Sequence, residues 1–370
     1  MESMAGKLGI IALESALNAG GKIDKILSEW RGGEHFIIES ECPRFGSGEA
    51  KGLIKESIRD RDLYILVDVC NSSVTYMMDG EKNRMSPDDH FQDLKRIIAA
   101  CNGKAGRITV IMPFLYESRQ HRRVVRESLD CAVMLQELWH MGVHEIITFD
   151  AHDPRMQSAI PLGGFEDVSP ALQFTQALLA EYEDLRLDSD HLMFISPDEG
   201  ATQRVVFMAS IFGVNIGMFY KRRDYARIEN GMNPIVAHDF CGESVAGKDV
   251  IVVDDMISSG GSMIDVAQQL KERGARRVFM FATFGLFTNG FEKFDRAYEA
   301  GLFDRVFTTN LIYQKPALKE KPWYCSVGMN RYVAAIIDTL NKGESMRELI
   351  RPAHRMKEMI ALYKGGAFQG

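Results

Sequence analysis

Apolar and polar positions fall in blocks along this chain, and the blocks read alternately as strands and helices. Residues 250–253 are a β-branched run bounded by polar residues, the pattern of a strand buried on both faces as in a parallel sheet. Met263, Val266, Ala267 and Leu270 then recur at helical spacing, Lys271 and Arg273 complement the dipole of the last turn, and Gly274 supplies a stop. The same order holds from Arg107: a strand over 108–112, a helix over 125–139 ending near Gly142 and a strand over 143–149 predict a βαβ unit with a right-handed crossover. Further strands are predicted over 34–41, 63–69, 194–195, 215–220, 278–283 and near Val306, with helices over 205–212 and 332–340. Residues 8–19 and 21–30 read as opening helical pieces, 71–89 as a polar surface excursion, and the tail with Met356, Met359, Ile360 and Tyr363 as a last helix.

Gly106, Gly142 and Gly274 each stand shortly before a predicted strand, a faint internal echo. With 370 residues, two similar α/β domains are the simplest reading. Hydrophobic residues at 46% and charged ones at 26% are ordinary for a globular chain, whereas a net charge of -7 argues against a general nucleic-acid surface. Phosphate binding must then come from local basic clusters, which points to small phosphorylated ligands. Six cysteines without a Cys-x-x-Cys pair suggest neither a disulfide framework nor a zinc site. No run approaches the ~18 apolar residues of a membrane span, so the expectation is a cytoplasmic protein with no membrane partner.

Chemistry concentrates after the 250–253 run. Asp254 and Asp255 sit at the predicted C-terminal end of that strand, and Ser258, Ser259, Gly260, Gly261 and Ser262 join it to a helix N-terminus. Unpaired amides and the positive dipole end make an anion site there, and small residues let a phosphate approach the main chain. Carboxylates would repel a phosphate but accept hydrogen bonds from adjacent sugar hydroxyls, so loop and acid pair together describe a phosphorylated pentose. The loop is neither a P-loop nor a dinucleotide fingerprint. Asp150 with His152, and Asp198, also fall at predicted strand ends, where open parallel sheets bind ligands; His152 and Asp198 are candidates for a magnesium ion bridging ATP phosphates. Lys221, Arg222 and Arg223, with Arg227, are read as a cationic loop suited to closing over a polyphosphate. Arg119, Gln120, His121, Arg122 and Arg123 form a second basic stretch, and Phe45 beside flexible glycines is a candidate to stack on a purine.

Seven ordered motifs spanning roughly residues 40 to 350 resemble those of ribose-phosphate diphosphokinases: Phe45-Gly-Ser47-Gly-Glu49; Pro113 to Gln120; Asp150-Ala-His152; Ser196-Pro-Asp198-Glu-Gly200 with Arg204; Lys221-Arg222-Arg223; Asp254-Asp255 with Gly260-Gly261; and Lys342 to Ser345. The resemblance implies two tandem phosphoribosyltransferase-like domains, each a mostly parallel sheet flanked by helices. The first would hold residues 1–165 plus about 325–370 on the ATP side, the second 166–324 on the ribose 5-phosphate side. It further implies transfer of the β,γ-diphosphoryl group of ATP to the 1-hydroxyl of ribose 5-phosphate, releasing AMP. By carry-over Phe45, Ser47, Glu49, Arg119 and Gln120 would bind ATP, and His152 and Asp198 the Mg2+. Lys221 and Arg223 would stabilise the transition state, and Asp254, Asp255 and Ser258 through Ser262 would hold the sugar phosphate. The family is typically a homo-oligomer, often hexameric.

This chain departs from that pattern at several places. Ser258 stands where the family usually has a carboxylate, which would cost roughly one to two powers of ten in sugar binding or rate if uncompensated. Ser47 stands where an Asp or Asn often contacts adenine, and His121 replaces an acid. The 71–89 excursion is longer than the family norm. A catalytically weak regulatory paralogue and a phosphoribosyltransferase are the two other readings; retention of Lys221, Arg223, His152 and Asp198 disfavours the first, and the tandem architecture with the Phe45, Arg119 and Asp198 motifs disfavours the second.

Overall fold

A computed structural model describes residues 6–223 and 235–368, with the side chains of 221–223 and 235–238 outside the description. The chain forms two compact units, each built on a largely parallel sheet.

The first unit takes the described residues up to Pro170 together with Asn310–Tyr313 and Gly328–Arg351. Its sheet runs β1 (Leu8–Ala12), β4 (Asp62–Leu66), β7 (Arg107–Ile111), β8 (Glu145–Phe149) and β9 (Gly164–Val168), every neighbouring pair parallel. Two small antiparallel ladders stand apart, β2 (Ser40–Glu41) with β3 (Leu53–Ile54) and the hairpin β5 (Thr75–Met78) with β6 (Glu81–Arg84). Helices α1 (Leu17–Trp30), α2 (Pro87–Cys101) and α3 (Asp130–His140) connect them.

The second unit holds Ala171–Thr309, Gln314–Val327 and the described chain from Pro352 onward. Its sheet is ordered β12 (Ile235–Gly242), β11 (Asn215–Arg223), β10 (Leu192–Ser196), β13 (Asp249–Ile257), β14 (Arg277–Gly285), β15 (Arg305–Thr309) and β16 (Tyr324–Val327), parallel except at β11–β12. Successive β13 residues point to opposite faces. Val250 and Val252 join Met263, Val266, Ala267 and Leu270 of α6 (Gly261–Glu272) on one face. Ile251 and Val253 join α4 (Ala171–Glu181) and α5 (Thr202–Phe212) on the other. This double burial is why the run is β-branched throughout, with no polar alternation. A short helix, α7 (Glu292–Glu299), adds Phe294 to the first of these cores, and α8 (Pro316–Lys319) precedes β16.

Several expectations need correction. Residues 8–12 are a strand: five consecutive buried residues suit a sheet covered on both faces, whereas a surface helix would turn some outward. Helix α3 starts at Asp130, so 125–129 are loop. The stretch 71–89 is ordered secondary structure, containing the β5–β6 hairpin and the start of α2. Asp79 and Gly80 both have positive φ (51° and 81°), the demand of a two-residue hairpin turn, and Ser86 with Asp89 forms a capping box ahead of Pro87. The expected 34–41 strand reduces to Ser40–Glu41 and an isolated bridge at Ile37. Lys221, Arg222 and Arg223 are the last residues of β11, their backbone paired with His238, Ala237 and Ile235, and do not begin a loop; Arg227 lies outside the described residues. The returning segment is shorter than the expected 325–370. It comprises Gly328–Arg351, with α9 (Asn330–Asn341) and α10 (Arg347–Ile350), while α11 (Ala353–Lys364) buries Met356 and Ile360 in the second unit.

A buried polar cluster fixes that return. Asp62, fully buried, accepts from Arg107 Nε at 2.7 Å and Nη2 at 2.8 Å, from the Tyr64 hydroxyl at 3.0 Å and from Asn341 Nδ2 at 2.8 Å. Arg31 donates to Asp338 Oδ1 and Asn341 Oδ1, both at 2.8 Å. Sequence-distant α9 is thereby tied to β4, β7 and α1. Removing one partner of such a pair strands the other: Asp62→Ala should lower stability by about 3–5 kcal/mol, read as a fall in the urea midpoint at unchanged slope.

Candidate active site

In the second unit β13 ends at Ile257 and α6 begins at Gly261, so the predicted loop is a tight strand-to-helix reversal. Gly260 has φ +80°, and a Cβ there would come within 2.2 Å of Phe294 Cε2. Only glycine meets both conditions. Phe294 is held by Phe287 (centroids 5.1 Å apart) and stacks on Trp323 at 5.3 Å. The loop is also clamped through its own carbonyls: Ile257 O accepts from the Leu286 and Phe287 amides, and Ser258 O from Thr288 N at 3.0 Å. No side chain caps α6, a helix of 12 residues. Its N-terminal amides and the hydroxyls of Ser259 and Ser262, on exposed residues, form an anion cradle with the positive end of the dipole.

The acid pair precedes this cradle on β13. Asp255 is buried, with Arg204 of α5 4.0 Å from its carboxylate. Asp254 Oδ1 accepts from the Asp255 amide at 2.9 Å. Burial pushes the Asp254 carboxyl well above the usual carboxylate range, and the charges of Asp255 and Asp198 push it further. Asp198 follows β10; its Oδ1 accepts from Gly200 N at 3.0 Å, while its carbonyl accepts from Ser196 Oγ at 2.6 Å. Two adjacent strands thus deliver three carboxyls beside one helix N-terminus, and α5 adds Arg204. That set offers hydrogen-bond acceptors for hydroxyls and hard oxygen donors for a cation.

In the first unit the strand ends carry a second set. Asp150, with φ +47°, follows β8, the Ala151 amide donates to Asp167 Oδ1, and exposed His152 lies 5.3 Å from the His121 ring, centroid to centroid. His121 is itself 3.7 Å from Asp153. Arg119 is exposed in the stretch after β7, and Gln120 Nε2 donates to Ser128 O at 2.8 Å. Phe45 is 56% exposed, so its ring face is open to a ligand. Its loop is closed by Phe45 N to Glu49 O and Gly48 N to Phe45 O, and Ser47 Oγ donates to Glu49 Oε2 at 2.9 Å.

The structure therefore brings together Asp198, Asp254, Asp255 and Ser258 through Ser262 within one unit, and places Phe45, Ser47, Glu49, Arg119, Gln120 and His152 in the other. Lys221 and Arg223 end β11, next to β10, with their side chains undescribed. Sequence reasoning missed Asp68, which follows β4 as Asp150 follows β8. Burial raises its carboxyl to about 7, against hydrogen bonds from the amides of Cys70 and Tyr313. The strand-end rule that selected the other acids did not reach it, because the predicted strand ran on to Val69 whereas β4 ends at Leu66. Phe294 was missed because no local pattern announces which ring a glycine turn will rest on.

Known proteins resemble this chain in sequence and in fold. A family model described as the N-terminal domain of ribose phosphate pyrophosphokinase matches residues 9–142, and the phosphoribosyl transferase domain model matches 170–321. A ribose-phosphate pyrophosphokinase of Vibrio parahaemolyticus is 29% identical over 314 residues, covering 83% of this chain and 90% of the relative. One from Pasteurella multocida is 31% identical over 280 residues, covering 75% and 79%. The crystal structure of phosphoribosylpyrophosphate synthetase from Mycobacterium smegmatis has the same fold, with a TM-score of 0.73 at 21% identity over 91% of this chain and 99% of that one. With two phosphoribosyltransferase-type domains in tandem and relatives matched over most of their length, the chain belongs to the ribose-phosphate pyrophosphokinase family.

Proposed function

We propose that this member of the family, a transferase, joins ATP and ribose 5-phosphate at the strand ends described above. The 1-hydroxyl of the sugar attacks the β-phosphorus of ATP, the bond from that phosphorus to the α,β-bridging oxygen breaks, and AMP leaves. The observation that carries this reading is the pairing of adjacent carboxyls, Asp254 and Asp255, at the end of β13 with the uncapped N-terminus of α6. The cradle of Ser258, Ser259, Gly260, Gly261 and Ser262 takes the 5-phosphate, and Asp254 and Asp255 accept from the sugar hydroxyls. Phe45 stacks on the base, with Ser47, Glu49, Arg119 and Gln120 as its polar partners. Lys221 and Arg223 meet the charge that develops on the transferring group.

The donor set also suits Mg2+. No group of three or more His, Cys, Asp or Glu is placed to cage a metal among the described residues; a magnesium ion on a polyphosphate needs only one or two protein donors, since phosphate oxygens and water fill the remaining positions. Asp198 and His152 would hold it, and when bound it would neutralise phosphate charge. No helix of the described residues is long and apolar enough to cross a membrane, in keeping with a cytoplasmic, homo-oligomeric enzyme (a hexamer or a dimer-based assembly) acting on small soluble substrates.

Three outcomes test this. Incubation with ATP, Mg2+ and ribose 5-phosphate should release AMP in step with loss of ATP; no AMP at any phosphate concentration would point to a silent paralogue. Lys221→Ala should lower kcat by about a hundredfold or more at unchanged thermal midpoint. Asp254→Asn keeps the acceptor for the Asp255 amide and removes an unfavourably buried charge. It should raise the urea midpoint at pH 8 while lowering kcat/KM for ribose 5-phosphate by more than about tenfold. The sign follows from the direction of the shift: a carboxyl raised in the folded state binds its proton there more tightly than in the unfolded chain, so its contribution to stability declines as pH rises through that range.

A further inference from the structure

The β5–β6 hairpin has no part in the chemistry above, yet it holds the loop that carries Phe45 at several points. Its turn reaches over to that loop: the Asp79 amide donates to Gly46 O at 2.9 Å. Its first strand lies against the loop's other glycine. Gly48 has φ +89°, and a Cβ placed there would lie 2.8 Å from Met78 Sδ and 3.7 Å from Tyr76 Cε2. The thioether would yield, but the backbone conformation would not, so glycine is required. Tyr76 also stacks under Arg44, the guanidinium carbon 4.9 Å from the ring centroid, and Arg44 donates to Asp93 Oδ2 of α2 at 2.7 Å. The loop is thus held at both ends, by Arg44 before Phe45 and by Gly46 and Gly48 after it.

A loop that presents a 56% exposed phenyl ring to a ligand loses affinity for every conformation it must give up on binding. Its internal hydrogen bonds, Phe45 N to Glu49 O, Gly48 N to Phe45 O and Ser47 Oγ to Glu49 Oε2, close the turn on itself, and the hairpin adds a hold from outside it. We propose that the hairpin is a positioning device for the nucleotide base: it freezes the Phe45–Glu49 loop in its stacking geometry before ATP arrives, with Tyr76, sandwiched between Arg44 and the Gly48 backbone, as the residue on which this depends. The inference rests on the reading of Phe45 as the base contact. Tyr76 itself touches no reacting atom. Its effect is confined to nucleotide affinity, because the hairpin and the Phe45 loop belong to the first unit and the acid pair and the sugar-phosphate cradle to the second.

The test is a KM against kcat comparison on the full-length enzyme. Tyr76→Ala should raise KM for ATP about five- to tenfold, the order expected when a cation–π contact and its pre-organisation are lost, with kcat and KM for ribose 5-phosphate changed less than about twofold. Tyr76→Phe keeps the ring and should restore the native KM. Arg44→Lys keeps the charge but not the planar face, and should behave like Tyr76→Ala. An unchanged KM for ATP in Tyr76→Ala, a parallel rise in both KM values, or a fall in kcat alone would each overturn the proposal. Phe45→Ala run alongside separates the two levels. A raised KM for ATP there with none in Tyr76→Ala sinks the hairpin's role alone, whereas no effect of Phe45→Ala sinks the base-stacking assignment itself.

Discussion

The contact between Gly260 and Phe294 is the constraint from which the rest of the second unit's site follows. A strand buried on both faces must turn directly into a helix whose N-terminus is open, and the turn has room for neither a side chain nor an ordinary backbone conformation. Phe294 in turn has a fixed place only because Phe287, Phe303 and Trp323 pack around it. The anion cradle is therefore as rigid as the aromatic core beneath it. An exposed loop of serines and glycines would otherwise be among the most mobile parts of a protein.

Against that rigid cradle stands the acid pair, arranged at the expense of stability. Asp254 is raised by burial and by the nearness of Asp255 and Asp198, and Arg204 stands 4.0 Å from the Asp255 carboxylate. Structural carboxylates elsewhere in the molecule are treated differently. Asp62 and Asp249 are just as buried, yet each is met by close guanidinium donors, Arg107 in one case and Arg276 with Arg277 in the other.

Much of this was legible in the residue pattern. The β-branched run, the helix after it and the stop at Gly274 follow from local periodicity, and the acid pair and small-residue loop from the chemistry a phosphorylated sugar demands. What failed did so for identifiable reasons. Leu8–Ala12 has no period that separates a buried strand from a buried helix. The hairpin went unread although Asp79-Gly80 between alternating residues is its strongest local signal, because the surrounding charges suggested loop. Lys221 to Arg223 extend β11 because β12 is there to pair with them, a partner that only the tertiary fold supplies. Likewise, nothing local in α9 or α11 says that one helix returns to the first sheet and the other to the second.

That last feature bears on how the protein is made. The first unit's sheet is complete in sequence by Val168, but the partner of Asp62 on α9 is Asn341. A ribosome releases residue 341 only after most of the second unit has been made, so the nascent first sheet carries a buried-to-be acid and arginine without their final covering helix meanwhile. Neither unit is contiguous in sequence, and no single cut in the chain would yield two fragments that each contain a whole one.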